Sequence, residues 1–225
     1  MTFLLVLLTL SVAVIVELIR RMRKDRIRVG SDLVTEYPSS FDVFDRYFHP
    51  GHTWVEISDQ RTMKVGIDDF SARIIGSVDK IELPAVGQEV RQGDRLTVLH
   101  HGSRELIHVA PISGRIVEIN RRLGKKPGII NASPLEQGWL AKISPSNLEL
   151  ELRNLLKGFA ADGWRDAVRS ELIQVFSPNF GTVVQDGGQI VESLSDHLTD
   201  EQWLQLVRQF FPGISSNQIK NNSKH

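Results

Sequence analysis

The sequence predicts a mainly β domain set between an apolar N-terminal span and a helical C-terminal extension. Three observations carry this. Residues Thr2 to Ile19 form an apolar run with one ionisable side chain. The middle of the chain breaks into short apolar and β-branched runs with Gly and Pro between them. After Lys142 the apolar residues recur at helical spacing. Short strands punctuated in this way imply a small β-sandwich or barrel.

The N-terminal run reads TFLLVLLTLSVAVIVELI, with Glu17 near its end. Eighteen helical residues at a rise of 1.5 Å each span roughly 27 Å, enough to cross the hydrocarbon core of a bilayer. A cleaved signal peptide has basic residues ahead of a shorter apolar run and small residues after it. Here no Lys or Arg precedes the run, and RRMRKDRIR follows it. A retained single-pass span is therefore expected. The basic cluster (Arg20, Arg21, Arg23, Lys24, Arg26, Arg28) places its own side in the cytoplasm, with the N-terminus outside and the folded body cytoplasmic. Each basic group beside an anionic leaflet contributes about 1 kcal/mol, so residues 1–28 are expected to contact membrane lipid.

Residues 29–49 mix Pro, Ser, Asp and aromatics without a period, as a linker does. A strand-rich domain is expected over 50–157. HTWVEIS and RTMKVGI flank a turn at Ser58-Asp59-Gln60 and predict a hairpin. Asp68 or Asp69 caps a short helix through FSARII, which Gly76 ends. Further strands are expected at SVDKIEL, LTVLHH, LIHVA, GRIVEIN and GWLAKI. LELELRNLLKG reads as an amphipathic helix closed by Gly158. Residues 158–225 form the helical extension. Its first helix starts at a capping Asp162 and presents Trp164, Val168, Leu172 and Val175 or Phe176 along one face. FGTVVQDGG suggests a short strand and turn. A second helix starts at Thr199 and presents Trp203, Leu206, Val207 and Phe210, and a polar tail follows.

Composition excludes several classes of function. The chain holds 27 basic and 27 acidic side chains. From residue 29 onward 21 of the basic and 25 of the acidic ones remain, so the body is slightly acidic and unsuited to a phosphate backbone. No nucleic-acid partner is expected. The absence of cysteine removes disulfides, thiolate metal sites and thiol nucleophiles. No G-x-S-x-G, P-loop or G-x-G-x-x-G motif is present.

In order along the chain, HTWVEI, VGIDDF, IELPAVGQEVRQGD, APISGRIVEIN and LGKKPGIINASPLEQGWLAKI resemble the glycine cleavage system H protein family. The resemblance covers about residues 50–157. VGxxVxxG and AP-x-SG are common to lipoyl and biotinyl domains; the closing segment with Pro127, Asn131, Pro134 and Gly138-Trp139-Leu140 narrows it to the H-protein branch. The resemblance implies a lipoyl/biotinyl-type β-sandwich barrel. Gly87 and Gly93 permit tight turns, and Pro111 and Gly114 serve the matching turn after the second arm. Between them LTVLHH and RELIHVA form a hairpin whose tip reaches solvent. In the family that tip bears a lysine joined by an amide to lipoate, on an arm that visits partner active sites.

The family spacing from Gly93 to Pro111 puts Ser103 at the lysine position. No lysine lies between Lys80 and Lys125. Arg104, one position on, is permanently protonated and a poor nucleophile for acylation. Lys125 and Lys126 follow Gly124 in a loop and read as solvated charges. Lipoate is therefore expected to be absent.

The histidines His100, His101 and His108 gather near the tip with Glu105. Adjacent His100 and His101 point to opposite strand faces, so at most one can pair across the hairpin with His108. A metal site needs three or four convergent ligands, and none is expected. These residues, with Arg104, are instead expected to shape a docking surface, set against a plain reading as exposed polar strand residues. Asp186-Gly187-Gly188 reads as a turn. Trp164, Trp203, Phe210 and Phe211 read as helical core rather than a cofactor pocket. His197 and scattered carboxylates in residues 158–225 offer no nucleophile–base pair. The expectation is a membrane-anchored, non-lipoylated scaffold acting through an unidentified protein partner, without catalysis or a small-molecule substrate. Its competitor is a lipoate-dependent carrier in glycine cleavage or a related pathway.

Overall fold

Among the described residues, nine strands form two antiparallel sheets. They are β1 (Arg46–His49), β2 (Thr53–Ile57), β3 (Met63–Ile67), β4 (Lys80–Glu82), β5 (Glu89–Val90), β6 (Arg95–His101), β7 (Arg104–Val109), β8 (Gly114–Ile119) and β9 (Ala141–Pro145). The larger sheet has the order β1-β2-β3-β9-β8-β5 and the smaller β4-β6-β7. The computed structural model describes residues 46–59, 61–180 and 193–211, all inside the unit Asp42–His225. The span predicted at 2–19, the basic cluster, the linker up to residue 45, the Asp186-Gly187-Gly188 turn and the polar tail lie outside the described residues.

The first hairpin forms because Asp59 folds its carboxylate back onto the turn. Its Oδ1 accepts from the backbone N–H groups of Arg61 and Thr62, each at 2.9 Å. Strand β3 then buries Met63, Val65 and Ile67 by alternation. Of the two candidate caps, Asp68 is the one used: its side chain accepts from Ser71 N and starts α1 (Asp69–Ile75). Gly76 ends that helix with φ 70, where a Cβ would strike Ser193. Three short helices, α2 (Arg121–Lys125), α3 (Ile129–Ala132) and α4 (Leu148–Glu151), occupy the connections around β9. Asn120 fixes the first by accepting from Arg122 N while donating to the Gln137 and Trp139 carbonyls.

Beyond α4 the structure departs from the sequence reading. LELELRNLLKG is not one helix. It is α4 followed by a 3-10 turn (Leu152–Asn154), after which Leu156 pairs antiparallel with Phe48 of β1. The Leu-Glu stretch at 148–151 is itself helical; the break follows Asn154, where Leu156 exchanges both backbone hydrogen bonds with Phe48 at 2.8 Å and so satisfies the edge of β1. Gly158 opens the next helix instead of closing the last: α5 runs Gly158–Phe180, and Asp162 lies exposed inside it rather than capping it. Strand β1 also begins within the predicted linker, at Arg46.

The apolar residues of both sheets, α1, α5 and α6 (Asp200–Phe210) share one core. The apolar face expected on α5 is seen in buried Leu172 and Phe176 and partly buried Trp164 and Val168. Helix α6 starts as its sequence requires, with Thr199 and Gln202 forming a reciprocal capping box. It buries Trp203, Leu206, Val207 and Phe210. Trp203, Phe210 and Phe211 are core residues, as their spacing predicted. The C-terminal extension thus packs on the β domain. Each such large apolar side chain contributes roughly 1.5–3 kcal/mol on full burial. Several of them outweigh any one surface ion pair at about 0–1 kcal/mol.

Candidate functional site

Strands β6 and β7 form the arm that the sequence singles out. Their register pairs His101 with Arg104, His100 with Glu105, Leu99 with Leu106 and Thr97 with His108. Gly102 and Ser103 alone make the turn. Gly102 takes φ 55, the conformation that favours Gly at the first position of a two-residue hairpin turn. Its N–H donates to the Asp79 carboxylate at 2.7 Å. Ser103 is exposed at the tip.

The predicted docking residues do not form one surface. His108 is fully buried and shares an inward face with Leu106; its Nε2 bonds the Ser71 hydroxyl at 2.9 Å. The register also denies it a cross-strand partner in His100 or His101, because Thr97 stands opposite. Burial pushes the His108 imidazole down to about 3, against the opposing field of Asp68. The buried Nδ1 has no hydrogen-bond partner of ordinary geometry. His100 stays half-buried between two carboxylates, 3.2 Å from Glu82 and 3.5 Å from Glu105. Glu82 is held below the ordinary carboxylate range, first by its hydrogen bond from Lys80.

His101 and Arg104, on either side of the turn, are engaged by the chain's own C-terminal segment. His101 Nε2 lies 2.5 Å from Asp196. Arg104 donates to the carbonyls of Leu198 and Thr199 at 2.7 and 3.2 Å, lies 3.2 Å from Asp200 and stacks over the Trp203 ring at 5.5 Å. Below this contact, Ser195 Oγ donates to the Ile75 carbonyl at 2.7 Å and Ser193 N to the Arg73 carbonyl at 3.1 Å.

A second polar cluster went unread in the sequence. His52 and Asp68 are both buried and meet at 2.8 Å. The His52 ring is stacked 4.5 Å from Phe70 and flanked by Trp164 at 5.0 Å and Phe211 at 4.9 Å. Asp68 was visible as a cap; its partnership with His52 is a tertiary fact with no local signal. Among the described residues no group of three His, Asp or Glu side chains could hold a metal ion.

A model of the glycine cleavage H-protein family matches residues 46–163 of this chain. The chain belongs to that family. At 37% identity over 110 residues it is similar to a probable glycine cleavage system H protein of Thermococcus kodakarensis, covering 49% of this chain and 81% of the relative. The glycine cleavage system H protein of Legionella pneumophila is 35% identical over 112 residues, 50% of this chain and 88% of its own. A solved glycine cleavage system H protein from Mycobacterium marinum aligns at 28% identity over 45% of this chain and 84% of its own, with a TM-score of 0.42. The H-protein match ends at residue 163, so most of α5 and all of residues 193–211 lie outside it.

An H-protein arm that carries lipoate needs a primary amine at its tip. Here the turn offers the Ser103 hydroxyl, and Arg104 beside it is a guanidinium already bonded to two carbonyls. Lys80 stands across from His100 on β4 and lies 3.1 Å from Glu82. Lys125 and Lys126 are exposed at the end of α2, and neither belongs to the turn. The residues at the tip do not fit an amide-linked lipoyl group.

Proposed function

We propose that this chain is a non-lipoylated member of the H-protein family that works through protein contacts. Residues 1–28 tether it to a membrane as a single-pass span, with the folded body on the cytoplasmic side. The observation that carries this reading is the arm's tip: the family scaffold is kept around Gly102-Ser103, and no amine stands there. Its partner is a protein, not a nucleic acid or a small-molecule substrate, and the chain is not an enzyme. Intact-mass measurement of the native protein, with an anti-lipoate blot, tests it. The expected mass is that of the unmodified polypeptide; a lipoyl adduct on any residue overturns the reading.

The family match and the names of the relatives favour a second reading, and on the comparisons alone it is the better supported. In it the chain is a lipoate-dependent carrier that shuttles an aminomethyl or other group in glycine cleavage or a related pathway. That reading requires a modified residue away from Ser103 and predicts stimulated glycine decarboxylation in a reconstituted system. A carrier is likewise not a catalyst.

A further inference from the structure

We propose that the flank of the β6–β7 arm is a docking groove for an amphipathic helix, and that the chain fills it in cis with residues 193–211 as an autoinhibitory strap. Two features of the strap support this. The first is how it is held. It adds no strand to either sheet. It rests on buried apolar side chains and on a charged latch at the arm's tip, His101 with Asp196 and Arg104 with Asp200 and the Leu198 and Thr199 carbonyls. Its backbone bond to the domain, Ser193 N to the Arg73 carbonyl, lies at its N-terminal end, so α6 can leave without breaking a sheet ladder.

The second is what lies beneath it. Phe211 stands edge-on to the His108 ring at 5.7 Å and packs beside Phe70 and His52 at 6.1 and 4.9 Å. Under that cover the Nδ1 atom of His108 has no hydrogen-bond partner. A buried polar atom without a partner is solvated again when the cover lifts, so the closed state is held less tightly than a fully satisfied core.

The latch also lies in the right place to be read by a partner. His101 and Arg104 are the two residues flanking the Gly102-Ser103 turn, so a protein that approaches the tip acts first on the groups securing the strap. The occupant that fits the vacated groove has the strap's own chemistry: an acidic N-terminal turn for Arg104, followed by a helix with Trp, Leu and Phe on one face. The strap lies beyond the residues matched to the family, and the inference holds whether or not the arm is modified.

A fluorescent synthetic peptide with the sequence of residues 193–211 tests this on the full-length chain. In the wild type the tethered strap competes with it. In the double variant Asp196→Ala, Asp200→Ala, which changes only the strap and leaves His101 and Arg104 of the groove in place, the open fraction rises, and apparent affinity scales with that fraction. The expected result is at least ten-fold tighter peptide binding by the variant. Equal affinity for both proteins, or no binding to either, overturns the proposal. Hydrogen exchange on the wild type gives a readout that needs no variant. Amides of α6 should exchange through an opening faster than that of β6 and β7, and exchange of all three at one common rate contradicts a separable strap.

Discussion

The Asp196 carboxylate sits 2.5 Å from Nε2 of His101, and Nδ1 of the same ring meets the Ser77 carbonyl. Both partners are acceptors, so both ring nitrogens must donate, and the arrangement selects the imidazolium. The hydrogen bond to Asp196 raises the His101 pKa above its ordinary 6.5, against a smaller effect of desolvation and with help from Ser77 and Asp79. A raised folded pKa contributes stability that is complete below 6.5 and lost as pH climbs through the folded value. Arg104 and Asp200, 3.2 Å apart, are the other charged pair at this contact. Strap protection, read by hydrogen exchange corrected for intrinsic rate, should therefore fall as pH rises. Asp196→Asn should flatten that dependence, and an unchanged pH profile in this variant would remove His101 from the latch.

His108 predicts the opposite sign for the whole fold. Its folded pKa of about 3 lies below the unfolded 6.5, so the unfolded chain binds a proton first as pH falls. Stability should decline between pH 6.5 and 3, with a slope from this one group of up to about 1.4 kcal/mol per pH unit. Urea midpoints measured across that range check it. His108→Gln should flatten the slope; an equally steep decline in this variant would assign the acid sensitivity to other groups.

These two histidines also mark what the sequence could and could not tell. The arm was legible because Gly93 and Pro111 bracket it and its strands are short and apolar. Helix α6 was legible from Thr199 and the spacing of Trp203, Leu206, Val207 and Phe210. His108 was not, because a polar residue near a hairpin tip reads as solvent-facing. Its burial depends on Ser71, thirty-seven positions away, and on Phe211. Asp196 and Asp200 were invisible as latch residues for the same reason: nothing local says which surface an exposed carboxylate will meet. LELELRNLLKG misled because its helical reading ignored the unpaired edge of β1, which Leu156 satisfies.

Two glycines of the family pattern should respond differently to alanine. At Gly114, with φ 153, an added Cβ would lie 2.2 Å from the Ser144 carbonyl oxygen and 2.9 Å from Pro145 Cα, so backbone must move in the β8–β9 pair. Gly93, with φ 89, has nothing within 4 Å of an added Cβ and carries conformational strain alone. Gly114→Ala should cost about 3 kcal/mol or more, where overpacking adds to backbone strain. Gly93→Ala should cost about 1–2 kcal/mol. Chemical denaturation orders them, and a Gly93 variant as unstable as the Gly114 one would contradict the contact geometry.

Placing an amine at the tip separates loss of one nucleophile from loss of the whole carrier surface. Ser103 is exposed and lacks the positive φ that its neighbour Gly102 takes, so Ser103→Lys fits the turn and should change stability by no more than about 0.5 kcal/mol. Incubated with a lipoate–protein ligase, lipoate and ATP, the variant should gain a lipoyl mass on residue 103, while the wild type should gain none. Peptide mapping then fixes the position. If the variant folds yet stays unmodified, the latched residues His101 and Arg104 beside the turn are the next suspects, and adding Arg104→Ala should restore modification. If instead the wild type is modified as readily as the variant, an acceptor exists elsewhere in this chain and the carrier reading takes the place of the one proposed.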